Sequence, residues 1–286
     1  MKQSNCPLCN HRELSKSWLT LLFDGTEFSY FECAKCRSLI CDPMPSDAML
    51  SKMYGLSYLD LGAGDDADGS IKKFDEVLNF LRTIKKGTFI DYGCGDGKLL
   101  KVAAELGWDV LGIDFNPQLA EGLNFTGIKV ISISTETSQR ADIIHLGDVL
   151  EHLTDLDKQM PKILKLLKSG GYLVAHGPLE ANANFFNWSL KLNKKFRQIK
   201  ATHMPPYHVI LATTHGQREL FARFNLQEIC FRVREVAFPA PEKMLLKKIF
   251  DIRVASLFLV RKCSQFFSSF DIENSGNRYF YIGKKL

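Results

Sequence analysis

A glycine-rich turn between a short strand pattern and a helix pattern constrains the fold of this chain more than any other feature. The strand pattern covers residues 88–92, and a helical spacing of apolar residues begins near Leu99. Between them stand Gly93, Gly95 and Gly97. Glycine allows the backbone to turn with positive φ and to approach a ligand more closely than a Cβ atom would permit. The turn therefore predicts a ligand-binding loop in an α/β domain.

The sequence around this turn alternates between strand and helix patterns, as parallel βαβ units require. One helix is expected from Leu156 to Leu167, with Gly170 and Gly171 as its C-terminal stop. Asp114 ends the second strand, 19 residues after Gly95. An acidic side chain at that place can accept two hydrogen bonds from ribose hydroxyls. The strand-like runs are residues 88–92, 110–113, 129–133, 143–146 and 172–175, with a last strand in NRYFYIGKKL.

The segment DYGCGDG resembles the cofactor loop of class I S-adenosylmethionine-dependent methyltransferases, whose pattern is D-x-G-C-G-x-G. The resemblance implies a doubly wound, mostly parallel seven-stranded Rossmann-like sheet and S-adenosylmethionine as the cofactor. A tight strand-to-helix turn in some other doubly wound fold is the alternative. SISTET ends the third strand, so Ser134, Thr135 and Glu136 are all candidates for the adenine contact. The implied cofactor-binding residues are Asp91, Gly93, Cys94, Gly95, Gly97, Asp114 and Phe115.

Two further segments resemble a methyltransferase subset that includes the quinone O-methyltransferases. They are ADIIHLGDVLEHL, with Glu151 and His152, and PPYHVIL, with His208. Histidine is the usual general base near neutral pH, so His208 and His152 are candidate catalytic residues, and His176 is a third because it ends the fifth strand. A structural role is the alternative for each. Glu151 is more readily interpreted as a solvated carboxylate than as a metal ligand.

Two C-x2-C pairs near the N-terminus have the spacing of a four-thiolate metal site. Such a site binds Zn²⁺ tetrahedrally and is structural, because it leaves no position open for water. Four free thiols are the alternative, and Cys41 and His11 lie off the pattern. Residues 17–31 between the pairs contain no Lys or Arg, which favours packing over nucleic-acid contact. The predicted ligands are Cys6, Cys9, Cys33 and Cys36.

A cysteine ribbon followed by D-P-x-P-S, a helix and a methyltransferase core resembles a group of bacterial deoxysugar C-methyltransferases. The resemblance implies a small metabolite as acceptor, a sugar on a nucleotide or lipid carrier, and the acceptor atom and oligomeric state stay open. RNA or protein methylation is one alternative, and a cofactor-binding protein without turnover is another. In the insertion at residues 181–207, amide and aromatic side chains suit a sugar or a capping helix equally.

Composition places these motifs in an ordinary globular chain of 286 residues with a net charge of +5. The absence of an apolar signal segment favours a reducing compartment, so a cytoplasmic location is expected. The expected domains are a zinc ribbon at 1–42, a helix and linker at 43–69, the methyltransferase core at 70–238, a helical insertion at 239–275 and a last core strand at 276–286.

Residues 243–270 have the spacing of an amphipathic helix with apolar residues on one face. Two interpretations are open. The helix packs on the core or forms a dimer seam, or it lies on an anionic membrane surface, at the inner face of the membrane, through its basic residues. The apolar face is expected to contain Leu245, Ile249, Ile252, Leu259, Cys263, Phe267 and Phe270, with Lys243, Lys247, Asp251, Arg261 and Lys262 largely opposite.

Overall fold

The computed structural model describes most of the chain. The described residues are 5–53, 74–120, 127–189, 192, 205–237 and 251–286, together with the backbone of 201–202. Most of the expected linker, the middle of the insertion at 181–207 and the first part of the helical insertion lie outside the described residues.

Twelve strands and seven helices are assigned labels here in chain order. They are β1 (Leu14–Phe23), β2 (Thr26–Cys33), β3 (Leu39–Asp42), α1 (Asp47–Met53), α2 (Asp75–Thr83), β4 (Thr88–Tyr92), α3 (Lys98–Glu105), β5 (Asp109–Asp114), β6 (Lys129–Ser132), β7 (Ala141–Gly147), α4 (Leu156–Lys165), β8 (Leu167–Pro178), β9 (Ala201–Thr202), β10 (Ile210–Leu211), α5 (Thr214–Arg223), β11 (Leu226–Arg234), α6 (Ile252–Ser268), α7 (Ile272–Ser275) and β12 (Arg278–Lys285).

The chain divides into two compact units that are discontinuous in sequence. The first unit contains residues 1–44, 177–220 and 231–279, and the second contains residues 45–176, 221–230 and 280–286. The N-terminal cysteine segment therefore belongs to the same unit as the insertion that follows β8.

The first unit contains a five-stranded sheet in the order β10-β3-β2-β1-β9. β1 and β2 form an antiparallel hairpin whose turn is Asp24–Gly25. Both turn residues have positive φ, 49° and 75°. An Asp-Gly pair with that geometry is the preferred two-residue hairpin turn, because its twist matches that of the flanking strands.

The second sheet has seven strands in the order β11-β12-β8-β7-β4-β5-β6 and is mostly parallel. β7 is the central strand, and β4 beside it pairs in parallel with β5 and β7. This architecture, with flanking helices, is the class I methyltransferase fold that the sequence predicts. From β4 the chain continues to β5 and β6 towards one edge of the sheet, and then returns to β7 and β8 on the other side of β4. In open α/β sheets, ligands bind at the carboxyl ends of the strands beside such a change of direction, which here include β4 and β5.

The core of the second unit lies beside this sheet and follows the apolar spacing of the sequence. Val77, Leu78 and Leu81 of α2 are buried together with Leu99 and Leu100 of α3. In α2, Leu81 stands four residues after Val77 and three after Leu78, so the three side chains share one face. Leu99 and Leu100 are adjacent in α3, and each helix therefore buries one stripe. Within the described parts of the chain, no helix has the length and apolar character that crossing a membrane requires.

The expected strands are present at the predicted positions, and one helix boundary is wrong. α4 ends at Lys165, before the glycines that were expected to stop it. Gly170 and Gly171 lie inside β8, where Gly170 has a φ of 75°. The register between β7 and β8 shifts at Ala141, and a left-handed glycine accommodates the irregularity.

Candidate active site

The glycine loop that follows β4 adopts left-handed backbone conformations at three alternate positions. The φ angles of Gly93, Gly95 and Gly97 are 81°, 52° and 72°. A Cβ atom on Gly93 would approach Val149 Cγ2 to 2.5 Å, whereas one on Gly95 would meet no atom within 4 Å. Gly95 therefore opens onto space that a ligand can occupy, and α3 begins directly after Gly97.

Asp114 at the end of β5 is hydrogen-bonded to this loop. Its Oδ2 accepts from the backbone N–H of Gly95 at 2.8 Å, and its Oδ1 accepts from the N–H of Asn116 at 2.8 Å. Burial raises the pKa of Asp114 above the usual carboxyl value, and the two backbone donors oppose that shift. The structure thus brings the predicted ribose-binding acid beside the predicted loop.

The side chains around this edge divide into buried and exposed groups. Cys94 is buried, and its Sγ would lie 2.9 Å from a Cβ on Gly112, so Gly112 makes room for the thiol. Burial raises the pKa of Cys94, so the thiol stays neutral. Only the backbone groups of Cys94 are then available to contact a ligand at the loop. Phe115 is half exposed beside Asp114, where an aromatic ring can stack on a base.

The candidate adenine-contacting residues lie in the turn that follows β6. The N–H of Ile133 donates to the carbonyl of Asp114 at 2.9 Å, which ties this turn to the end of β5. Ser134 Oγ is 2.9 Å from Ser132 Oγ. Ser134, Thr135 and Glu136 remain the candidates on this side of the loop.

A buried chain of three polar side chains lies behind the loop. His145 Nδ1 is 2.7 Å from Asp91 Oδ1, and both side chains are almost wholly buried. The rings of His145 and His176 are 5.0 Å apart. A Cβ on Gly147 would lie 2.6 Å from His145 Cε1 and 2.8 Å from His176 Nε2, so both rings lie over this glycine. His145 thereby fixes the orientation of the motif carboxylate Asp91.

His145 lies in the strand-like run at residues 143–146, but the sequence pattern did not predict its hydrogen bond to Asp91. The available signal was position, because Asp91 and His145 are direct neighbours in the β4–β7 register. Side chains of directly paired residues on neighbouring strands share one face of the sheet. An acid and an imidazole so placed can form a hydrogen-bonded pair.

His152, the second candidate base, lies in a short 3-10 turn that follows β7, Leu150–His152. Its Nε2 is 4.0 Å from Glu151 Oε1. Glu151 is buried, which differs from the solvated carboxylate that the sequence suggested. The distance of 4.0 Å between His152 Nε2 and Glu151 Oε1 is too long for a hydrogen bond, so the imidazole lies near the buried carboxylate without bonding to this oxygen.

His208, the first candidate base, forms a carboxylate–imidazole pair within the first unit. Its Nδ1 is 2.6 Å from Glu180 Oε2, and its backbone carbonyl accepts a hydrogen bond from Tyr30 Oη at 2.6 Å. Both members of the pair are about one-third exposed, so solvent and ligand can reach them. Glu180 was not predicted, although it stands two residues after the end of β8.

The four predicted metal-ligating cysteines converge in the first unit. The Sγ atoms of Cys6 and Cys36 are 3.6 Å apart, those of Cys9 and Cys33 are 3.5 Å apart, and all four lie within 4.8 Å of one another. A tetrahedral site with Zn–S bonds of about 2.3 Å has edges of about 3.8 Å. The donor set therefore fits zinc in number, type and spacing.

The backbone turns at the two C-x2-C pairs match each other. The residue after each pair has positive φ, 59° at Asn10 and 63° at Arg37. The hydrogen bond between the two thiols lowers the pKa of Cys36 and raises that of Cys6, so Cys36 is the sulfur of this pair that loses its proton more readily. Thiolate sulfur is the form that binds metal.

The amide side chains of the insertion after β8 hold the insertion itself together. Asn182 Nδ2 donates to Thr214 Oγ1 and to the carbonyl of Gly276, and its Oδ1 accepts from the N–H of Thr214. Asn184 Oδ1 accepts from the N–H of Asn187. Of the two interpretations for these amides, the structure favours the packing role for Asn182.

A family model described as a methyltransferase domain matches residues 69–230, which is more than half of the chain. This chain therefore belongs to the methyltransferase domain family. Its family and fold are those of methyltransferases that use S-adenosylmethionine, as the sequence predicts.

The curated relatives match the core of the chain. The ubiquinone biosynthesis O-methyltransferase of Proteus mirabilis is 29% identical over 127 residues, which cover 38% of this chain and 52% of that protein. The protein of the same description from Nitrosomonas europaea is also 29% identical over 127 residues, covering 38% of this chain and 54% of that protein. The chain thus spans about half the length of the curated relatives it matches.

Solved structures share the fold at low sequence identity. Phosphoethanolamine N-methyltransferase 2 of Haemonchus contortus, in complex with S-adenosyl-L-methionine, has a TM-score of 0.55 at 15% identity and covers 93% of this chain and 71% of that chain. The [4+2]-cyclase SpnF has a TM-score of 0.53 at 14% identity, covering 85% and 98%. One of these proteins is described as a methyltransferase and the other as a cyclase, so the fold alone does not fix the reaction.

The ribose role of Asp114 leads to a binding prediction. Asp114→Ala removes a charged acceptor worth about 1.5–3 kcal/mol, so S-adenosylmethionine should bind roughly ten- to a hundredfold more weakly by calorimetry. Asp109→Ala, at the other end of β5, is the matched control and should bind like the wild type. Equal affinity of wild type and Asp114→Ala would show that Asp114 does not contact the ribose.

Proposed function

We propose that this methyltransferase acts on a small metabolite, a sugar carried on a nucleotide or a lipid, and that His208 is its general base. The observation that carries the proposal is the Glu180–His208 pair. A carboxylate at Nδ1 keeps the imidazole hydrogen on that nitrogen, so Nε2 carries the lone pair that accepts a proton. The acceptor therefore has a proton to lose, as a hydroxyl or a carbon beside a carbonyl does.

The reaction that follows is a single displacement. When bound, S-adenosylmethionine supplies an electrophilic methyl group on a sulfonium. His208 would take the proton of the acceptor as the bond from the acceptor atom to the methyl carbon forms and the methyl–sulfur bond breaks, with the neutral thioether as leaving group. Glu180 would stabilise the imidazolium that results, because an adjacent carboxylate favours the charged ring.

Two features support a sugar as the acceptor. The N-terminal cysteine segment, followed by D-P-x-P-S and the core, resembles the deoxysugar C-methyltransferase group. Residues 181–207 also contain no acidic residue and carry five Lys or Arg residues between Lys191 and Lys200. Positive charge of this kind suits the phosphates of a nucleotide or lipid carrier.

Transfer of a trideuteromethyl group from labelled S-adenosylmethionine tests the acceptor class. The enzyme would be incubated with nucleotide-linked keto-sugars, catechols, RNA and casein, and products would be analysed by mass spectrometry. The proposal expects label in a sugar. Label in RNA or protein alone would overturn the proposal. It would also be overturned if none of the tested sugars acquired label.

A ring hydroxyl of a quinone precursor is the second candidate acceptor. It is favoured by the curated relatives, which are described as ubiquinone biosynthesis O-methyltransferases. Label in the catechol and not in the sugars would select this candidate. The proton balance is the same, because a phenolic hydroxyl also loses a proton to a base.

We further propose that the four cysteines bind one structural Zn²⁺. Protein purified without chelator is expected to contain about one zinc per chain by elemental analysis, and Cys6→Ser should lower the melting temperature because metal binding contributes folding free energy. Cys230→Ser is the control, since Cys230 lies outside the four-sulfur cluster. Zinc-free wild-type protein, or equal melting temperatures for the two variants, would contradict this assignment.

A further inference from the structure

We propose that α6 docks the first unit onto an anionic lipid surface through an exposed apolar stripe. The stripe consists of Ile252, Leu259 and Phe266 on α6 and Phe270 just beyond its end, all strongly exposed, from 61% at Phe266 to 83% at Ile252. The three residues on the helix stand at i, i+7 and i+14. At 3.6 residues per turn these positions fall within a sector of about 40°.

The opposite side of α6 is polar and buried. Arg261, Ser264 and Ser268 are each at most 6% exposed. Arg261 Nη1 lies 3.1 Å from Glu235 Oε1, and Ser264 Oγ donates to the same oxygen at 2.8 Å. Arg261 also lies over the ring of Phe186, 3.4 Å from its centroid. These contacts fix which side of α6 faces the protein.

The fully buried residues of α6 are thus polar, with Val254 and Leu257 half-buried beside them, whereas the stripe on the outward side is apolar. A helix in water buries its apolar stripe and exposes its polar face. In α6 the protein side is held by an ion pair and hydroxyl hydrogen bonds, and the outward side is aliphatic and aromatic. An outward apolar stripe is expected where the surroundings are apolar, as at the boundary between lipid head groups and acyl chains.

Charge selects a lipid surface over a second copy of the chain. Arg253 and Lys262 are exposed on the two sides of the stripe, and residues 243–270 contain six basic residues and one acidic residue, Asp251. A second copy that packed on this segment would bring the same excess of positive charge, which is unfavourable. Anionic head groups would instead pair with both flanks.

The phenylalanines at the C-terminal end of α6 suit the same surface. The rings of Phe266 and Phe267 are 5.5 Å apart, and those of Phe266 and Phe270 are 5.3 Å apart. Together they form a compact exposed aromatic group. Aromatic side chains are favoured in interfacial helices, where they bury apolar area at the level of the head groups.

Co-sedimentation of the full chain with vesicles tests the proposal. Binding is expected to phosphatidylglycerol-containing vesicles, to be weaker on pure phosphatidylcholine and to fall with added salt. Each basic residue near the surface contributes about a fivefold increase in binding, so Arg253→Glu with Lys262→Glu should reduce binding by at least about twentyfold. Binding to anionic and neutral vesicles alike, unaffected by this double variant, would overturn the proposal.

The stripe is tested by Leu259→Gln, Phe266→Gln and Phe270→Gln together. These side chains are exposed, so the triple variant should fold and should lose vesicle binding. Ile229→Gln, which changes another exposed apolar residue, is the matched control and should bind normally. No wild-type binding at low salt would overturn the proposal, as would a dimer that this triple variant dissociates. Both outcomes leave the acceptor assay unaffected.

Discussion

Gly95→Val is expected to abolish detectable binding of S-adenosylmethionine, with a loss of affinity greater than about a hundredfold. The side chain would enter the open space beside Gly95 and would also strain a backbone whose φ is 52°. Strain alone costs about 1–2 kcal/mol and affects folding, whereas occupation of the ligand space affects binding directly. Calorimetric titration and a melting curve measure the two effects separately.

Gly107→Val is the matched control for this variant. Gly107 also has positive φ, 87°, and a Cβ there would likewise meet nothing within 4 Å. The two variants should therefore lose similar stability, but Gly107→Val should bind the cofactor normally. Equal binding by both variants would show that the space at Gly95 is not part of the cofactor site.

His208→Ala is expected to lower turnover by about a hundredfold or more while cofactor affinity stays unchanged. The expected loss is the usual contribution of a general base. Glu180→Gln should reduce turnover less, because it leaves the imidazole in place and removes only the charge that orients and stabilises it. Single-turnover rates with saturating cofactor would measure both effects.

His215→Ala is the control for His208→Ala. His215 is also in the first unit and also lies near a glutamate, with His215 Nε2 3.7 Å from Glu219 Oε1. It should retain the wild-type rate. If His208→Ala also retained that rate, the base would have to be sought at His152 or His176.

Much of the second unit could be predicted because buried parallel strands have a direct sequence signature. Apolar runs bounded by turn residues marked β4, β5 and β7 close to their observed limits. The position of Asp114 near the glycine loop is also understandable from sequence, because Asp114 ends β5 and the loop follows β4, and these are neighbouring parallel strands. The end of α4 did not follow, because a left-handed glycine serves an irregular strand as well as it serves a helix terminus.

Pairs of side chains that meet through tertiary structure were not predicted. Asp91 and His145 are 54 residues apart, and only the strand register makes them neighbours. Glu180 and His208 are 28 residues apart, on either side of an insertion. Periodicity assigns each residue to a face or a strand end, but it does not specify which distant partner completes the pair.

The orientation of α6 shows the same limit of periodicity. Amphipathic spacing placed Arg261 opposite Ile252 and Leu259, and the structure agrees at these residues. It differs in that Phe266 also lies on the exposed stripe and Lys262 is exposed beside it. The pattern does not say which side faces protein. That choice depends on the buried partner Glu235, which precedes the helix by 17 residues.

Calorimetric titration with S-adenosylmethionine and S-adenosylhomocysteine tests the central assignment most directly. The account predicts saturable one-to-one binding of both compounds, with dissociation constants below about 1 mM, and no competition by NAD⁺. The last expectation follows because a dehydrogenase loop would require a glycine where this chain has Lys98. Failure of the wild-type protein to bind either compound at millimolar concentration would contradict the account.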